Sequence, residues 1–144
     1  MKASEAVARV AAIALMIAGC ARPAGPPAIV LGTPCAACGM EVRDLRFACE
    51  READGRWRVY DAIECLLREA GAAPAGRAYL ADYDRQALHP ADSLWVVRGE
   101  FASPMGGGFA AFLDLAAADS IAAATRGRVD RLAAFQTTAA EPAR

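Results

Sequence analysis

Leu45-Arg46-Phe47-Ala48-Cys49-Glu50, then Asp54-Gly55, then Trp57-Arg58-Val59-Tyr60 running into Asp61-Ala62-Ile63-Glu64-Cys65-Leu66-Leu67, is the stretch on which the fold turns. Leu45, Phe47 and Cys49 alternate with Arg46, Ala48 and Glu50, the period of a strand with one buried face. Asp54-Gly55 suits a tight turn, because both residues tolerate the positive φ that a two-residue hairpin demands. The stretch therefore predicts a β-hairpin that ends near Tyr60. From there the period changes: Ile63, Leu66, Leu67 and Ala70 share one helical stripe. Asp61 followed by Glu64 has the pattern of a capping box, and Gly71 closes the segment. A helix over 61–70 is expected, followed after a Pro/Gly loop by a short strand from Arg77 to Ala81.

The second half repeats this order. Leu94 to Arg98 predicts a strand, and the loop Pro104 to Gly108 separates it from a strand over Phe109 to Leu113. Asp114 caps a helix through Thr125, in which Ala118, Ile121, Ala122 and Thr125 share a face. Gly127 precedes a last strand, Val129 to Leu132. The plan is α+β: two ββαβ units, each a small, mainly antiparallel sheet packed by a helix. The duplication rests on element order, since the two halves share little sequence.

Residues 1–19 have the features of a lipoprotein signal peptide. Lys2 and Arg9 supply positive charge, Val10 to Ala18 an apolar run too short to span a bilayer, and Ile17-Ala18-Gly19-Cys20 a lipobox. A lipid on Cys20 makes the protein membrane-anchored rather than membrane-spanning. Ala21 to Thr33, with Pro23, Pro26 and Pro27, predicts a semi-extended tether without core contacts, so 20–33 carries the anchor and 34–136 the folded domain. A disordered tail is expected over 137–144.

The chain carries 16 basic and 17 acidic side chains, and the signal removes two of the former and one of the latter, leaving a weakly acidic protein. Nucleic-acid binding has no electrostatic support in such a chain.

Sulfur is the chemistry this sequence concentrates. Cys35-Ala36-Ala37-Cys38-Gly39-Met40 and Pro104-Met105-Gly106-Gly107-Gly108 hold two of the chain's four methionines, and Met1 and Met16 fall in the signal. A methionine that fills a core gap sits on a helix or strand face, whereas a thioether offered from a Gly-rich turn is placed like a soft-metal ligand. A Cys-x-x-Cys pair is a redox dithiol, half of a zinc site or a Cu(I) site. Thioredoxin-like dithiols open a helix, but this motif follows a proline-rich tether and runs into a strand. A structural zinc site wants a second paired knuckle, and Cys49 and Cys65 are unpaired in sequence. Cu(I) accepts thiolate and thioether together at low coordination number.

Cys38-Gly39-Met40, Arg43-Asp44, Phe47-Ala48, Tyr60 to Arg68, Pro104-Met105-Gly106 and Phe109 to Phe112, taken together, resemble the NosL family over about residues 35–135. These are lipoprotein copper chaperones associated with nitrous oxide reductase. The resemblance implies a fold similar to part of organomercurial lyase, with Cu(I) as cargo. It also implies an apo nitrous oxide reductase or its copper-handling transporter as partner, and a place in the cell envelope facing the periplasm. It carries to Cys38, Met40 and Met105 as ligands, with Cys35 contributing.

The remaining candidates are weighed on position. Cys65 lies on the far side of the helix from Ile63, off the apolar stripe, and is either exposed or turned toward the site as a reserve ligand. Cys49 shares the inward strand face with Leu45 and Phe47 and reads as a buried structural thiol. His89, the only histidine, precedes Pro90 in a loop and reads as solvated more readily than as a ligand. Trp57 and Trp95 are packing residues on strands, and Asp61 and Asp114 are helix caps. There is no nucleophile with a neighbouring base and no phosphate-binding loop, so a non-enzyme is expected. The competing readings are a periplasmic thiol-disulfide oxidoreductase using Cys35 and Cys38, and a structural lipoprotein whose CxxC closes a disulfide.

Overall fold

The structure, a computed structural model, describes residues 25–70 and 77–139. The expected signal peptide, the expected lipid site at Cys20, the expected helix stop at Gly71 and the expected tail beyond Ala139 lie outside those residues.

The first unit is a hairpin of β1 (Cys49–Ala53) and β2 (Arg56–Tyr60), then α1 (Ile63–Ala70), β3 (Ala78–Ala81) and β4 (Leu88–Pro90). Its sheet has the order β2-β1-β3-β4, antiparallel throughout. The second unit is β5 (Trp95–Arg98), β6 (Phe109–Phe112), α2 (Leu115–Ala124) and β7 (Arg128–Asp130), with an antiparallel sheet β6-β5-β7, and a last helix α3 (Leu132–Ala139) follows. Both ββαβ units are thus present. Asp54 and Gly55 carry φ of 53° and 72°, the turn that their sequence anticipates.

Four local differences from the sequence expectation have physical causes. Residues 45–47 form a turn rather than the start of β1, because the Asp44 carboxylate accepts from the backbone N–H of Arg46 at 3.0 Å and bends the chain there. His89 lies in β4, opposite Leu80, rather than in a loop. Its Nε2 is buried without a hydrogen-bond partner. Helix α3 extends to Ala139, past the expected domain end at Gln136. The end of the tether also joins the domain: Gly32 N–H donates to the Val42 carbonyl and Val42 N–H to the Thr33 carbonyl, each at 2.9 Å, around a fully buried Val42.

Two cores organise the molecule. The larger joins Cys49, Tyr60 and Leu80 of the first sheet, Ile63, Cys65, Leu66 and Leu67 of α1, Val96 and Phe109 of the second sheet, and Phe135 of α3. The smaller packs Val97, Ala110 and Phe112 of the second sheet against Ala118 and Ala122 of α2. The second sheet is therefore buried on both faces, which is why every residue of β6 is buried. A parallel bridge between Asp82 and Ala111 links the two sheets, and the buried Asp82 carboxylate accepts from Leu113 N–H at 2.9 Å. Helix α1 contacts β1 and β2 as well as α3 and β6, so it is covered on more than one side. That placement decides what its residues can do.

Candidate metal centre

Cys35 to Met40 forms a small loop tied at both ends. Cys35 N–H donates to the Met40 carbonyl at 2.7 Å, and Gly39 N–H to the Cys35 carbonyl at 2.9 Å, with Gly39 at a φ of 76° that favours glycine. Ala36 N–H donates to the Val59 carbonyl at 2.8 Å and fastens the loop to the outer strand β2. Its two thiols are thereby set over the start of α1.

There they meet Asp61 and Cys65. The ligand atoms of Cys35, Cys38, Asp61 and Cys65 all lie within 4.8 Å of one another. Cys35, Asp61 and Cys65 are buried and Cys38 is half-buried. Of the residues picked out in the sequence, Cys35 and Cys38 stand together in this cluster. Met105 is half-buried and packs against the core that includes Cys35 and Cys65. Met40 is 46% exposed. Cys20, the expected lipid site, is outside the described residues.

Asp61 is not a helix cap. Helix α1 begins at Ile63, and the Ala62 carbonyl accepts from Cys65 N–H at 3.1 Å. The Asp61 carboxylate points instead at Cys38, with Oδ1 3.6 Å from Sγ, while its buried Oδ2 has no hydrogen-bond partner. A buried carboxylate oxygen without a donor is costly unless a cation or proton completes it. Glu64 does not close a capping box either. Its Oε1 accepts from Ser103 Oγ and from Gly107 N–H, each at 2.9 Å, in the loop that carries Met105.

Cys65 is fully buried rather than exposed, because α1 is enclosed on the side its apolar stripe does not mark. The four-residue spacing of Asp61 and Cys65 at the start of a helix was the sequence signal for this pair. Burial, with Asp61 beside it, pushes the Cys65 thiol well up, and the Arg68 guanidinium donates to its Sγ at 3.3 Å. Burial also raises the Cys38 thiol, against the backbone N–H of Met40, which lowers it. Cys49 is fully buried, raised well above the ordinary thiol value by burial, and rests 3.5 Å from the Ala62 carbonyl as a structural thiol. All four described thiols are free.

A groove of about 710 Å³ leads to the cluster, lined by Met40, Arg43, Phe47, Asp61, Ser103 and Pro104 among others. Three sulfur donors and one carboxylate form a soft, compact donor set with an approach from outside. Such a set can take Cu(I) through thiolates alone, or Zn(II) as a tetrahedral S3O site.

The fold has a counterpart among solved structures. The crystal structure of the copper chaperone NosL from Shewanella denitrificans matches with a TM-score of 0.67 at 16% sequence identity, over 76% of this chain and 94% of that one. At this identity the likeness establishes a shared fold of small antiparallel sheets packed with helices. No family model matches the sequence, and no curated protein matches it.

Proposed function

We propose that this protein is a copper chaperone of the NosL kind, which takes up one Cu(I) at Cys35, Cys38 and Cys65 with Met105 alongside, and passes it on by ligand exchange. The observation that carries the reading is the cluster of three thiols gathered within 4.8 Å on a fold shared with a copper chaperone. Neither part suffices alone: a shared fold does not transfer chemistry, and a donor set does not name its metal.

Binding is an exchange of protons for metal, with no change in copper's oxidation state. Burial holds the Cys38 and Cys65 thiols protonated, so Cu(I) displaces their protons to solvent as each thiolate forms. Cys38 is the half-buried thiol of the three and the one a partner's ligand can reach first. The groove that Asp61 lines offers the approach, with Met40 on its wall as a second, exposed thioether. A trigonal thiolate site is strong enough to retain Cu(I) and open enough to release it to a competing sulfur or imidazole ligand.

The wider setting is part of the same proposal. The lipobox ending at Cys20 supports a membrane-tethered protein facing the periplasm, and the family resemblance supports apo nitrous oxide reductase or its copper-handling transporter as recipient. Labelling with a radioactive fatty acid, compared between wild type and Cys20→Ala, tests the anchor, and Cu(I) transfer to the apo reductase tests the partner.

Asp61 supports a second reading, a zinc site, because a carboxylate completes a tetrahedral S3O set better suited to Zn(II) than to Cu(I). Competition of the two ions for the reduced protein decides between them. The copper reading predicts that Cu(I) displaces bound Zn(II) at one equivalent. Zn(II) retained against Cu(I) moves the protein to the structural-metal class.

A further inference from the structure

Glu64 directly precedes Cys65 of the thiol cluster and reaches the Met105 loop, and neither capping nor ligation explains its orientation. It lies in the first turn of α1, next to Cys65 in sequence. Its Oε1 accepts from both Ser103 Oγ and Gly107 N–H at 2.9 Å, and Ser103 Oγ in turn accepts from Gly108 N–H at 3.0 Å. These contacts enclose Pro104-Met105-Gly106, whose own turn is closed by Gly106 N–H donating to the Ser103 carbonyl at 3.0 Å. The loop has been shaped for this approach: a Cβ at Gly107 would lie 2.5 Å from Glu64 Cγ. The other carboxylate oxygen, Oε2, is buried without a hydrogen-bond partner. Holding a carboxylate there costs free energy that a solvent-facing glutamate would not incur.

We infer that Glu64 is a positioning residue that sets Cu(I) affinity by latching the loop of Met105 against the thiol cluster. This rests on the copper reading of the site. A ten-residue connection, 99–108, would otherwise sample many conformations, and a thioether that must be ordered during binding contributes less than one held in place. Because α1 carries both Cys65 and Glu64, the helix that supplies a thiol also fixes the distance of the thioether. The three glycines after Met105 then have a role beyond flexibility: Gly107 gives Glu64 room to reach the backbone.

The test is a double-mutant cycle on the full reduced chain, with Cu(I) affinity read by chelator competition. Glu64→Ala should weaken Cu(I) binding about tenfold, as expected for losing charge-assisted hydrogen bonds. Glu64→Gln, whose amide oxygen can still accept both, should stay within about threefold of wild type. In a Met105→Leu background, Glu64→Ala should produce no further loss, because there is no thioether left to position. Exchange of the Gly107 amide proton should quicken in Glu64→Ala and slow on Cu(I) loading of wild type. Should Glu64→Ala fail to fold, Ser103→Ala removes one arm of the latch and must show the same dependence on Met105. Equal losses with and without the Met105 sulfur, or no loss at all, overturn the inference while leaving the copper reading intact. Failure of the unmodified protein to bind Cu(I) overturns both.

Discussion

Each ββαβ unit places an aspartate shortly before its helix, and the two are used in opposite ways. Asp114 does what its sequence position suggests: its Oδ1 accepts from Ala116 N–H at 2.7 Å and Ala117 N–H at 3.3 Å, at the exposed start of α2. Asp61 is 2% exposed, makes no such bonds, and faces a cysteine. The hairpin connections differ in the same sense. Asp54-Gly55 turns the first hairpin in the fewest residues that a two-stranded turn allows, whereas the second opens into the long loop from Gly99 to Gly108 that crosses to Glu64 of the first unit. The loop before the first unit gives Cys35 and Cys38, the first unit gives Asp61 and Cys65, and the long loop of the second packs Met105 against the core that holds them.

The comparison breaks most visibly at the thiols. Cys38→Ser should lower Cu(I) affinity by more than the roughly 10–100-fold typical of losing an outer partner of a metal, because it deletes a donor outright. Chelator competition reads the loss, and treatment with a thiol oxidant that joins Cys35 to Cys38 should reproduce it. Met105→Leu, nearly the same size but without sulfur, should cost about tenfold in affinity while the melting temperature changes little. Retention of full affinity in Met105→Leu would confine the site to Cys35, Cys38, Asp61 and Cys65.

The aspartates sharpen the contrast. Asp114→Ala should lower stability by about 1 kcal/mol in denaturant unfolding, as a lost N-cap does, with metal affinity unchanged. Asp61→Ala should do the reverse: the apo protein should be as stable or more so, since a buried carboxylate oxygen without a donor is gone, while Zn(II) affinity falls further than Cu(I) affinity. A capping-sized loss of stability in Asp61→Ala with unaltered metal binding would return Asp61 to the role its sequence suggests.

The last expected effect lies away from the metal site. Glu50 is buried in β1, and burial pushes its carboxyl up to about 7 from an ordinary value of 4.5. Between those values the folded chain keeps a proton that the unfolded chain releases, so stability falls as pH rises through this window and levels off above it. Glu50→Gln should therefore match wild type near pH 4 and exceed it near pH 8. Parallel unfolding curves at both pH values would show that Glu50 is solvated in the folded state.

Much of the fold was readable because local pattern and tertiary role agreed. The Asp54-Gly55 turn, the α2 cap at Asp114 and the apolar face of Ala118 and Ala122 all rest on nearest-neighbour chemistry. The pattern misled where packing came from elsewhere. The alternation at Leu45 and Phe47 resembles a strand, but the Asp44 side chain bends that segment. Strand β4 is only Leu88, His89 and Pro90, too short to show a period, and exists because β3 offers it an edge. Helix α1 was expected to bury one stripe, yet with α3 and β6 also against it Cys65 is as buried as Leu66. Half of the candidate site was therefore visible as CxxC and the methionine loop. Asp61 was assigned a local role as a cap and Cys65 was left between an exposed thiol and a reserve ligand, and the packing around α1 buries both beside Cys35 and Cys38.

The central claim is that Cys65 joins Cys35 and Cys38 as a third sulfur on a single Cu(I). Copper X-ray absorption spectroscopy of the reduced full chain loaded with one equivalent, beside Cys65→Ser, tests it most directly. The account predicts a first shell of at least three sulfur atoms in wild type and one sulfur fewer in the variant. An identical sulfur count in the two proteins, or a wild-type shell dominated by nitrogen and oxygen, would contradict it.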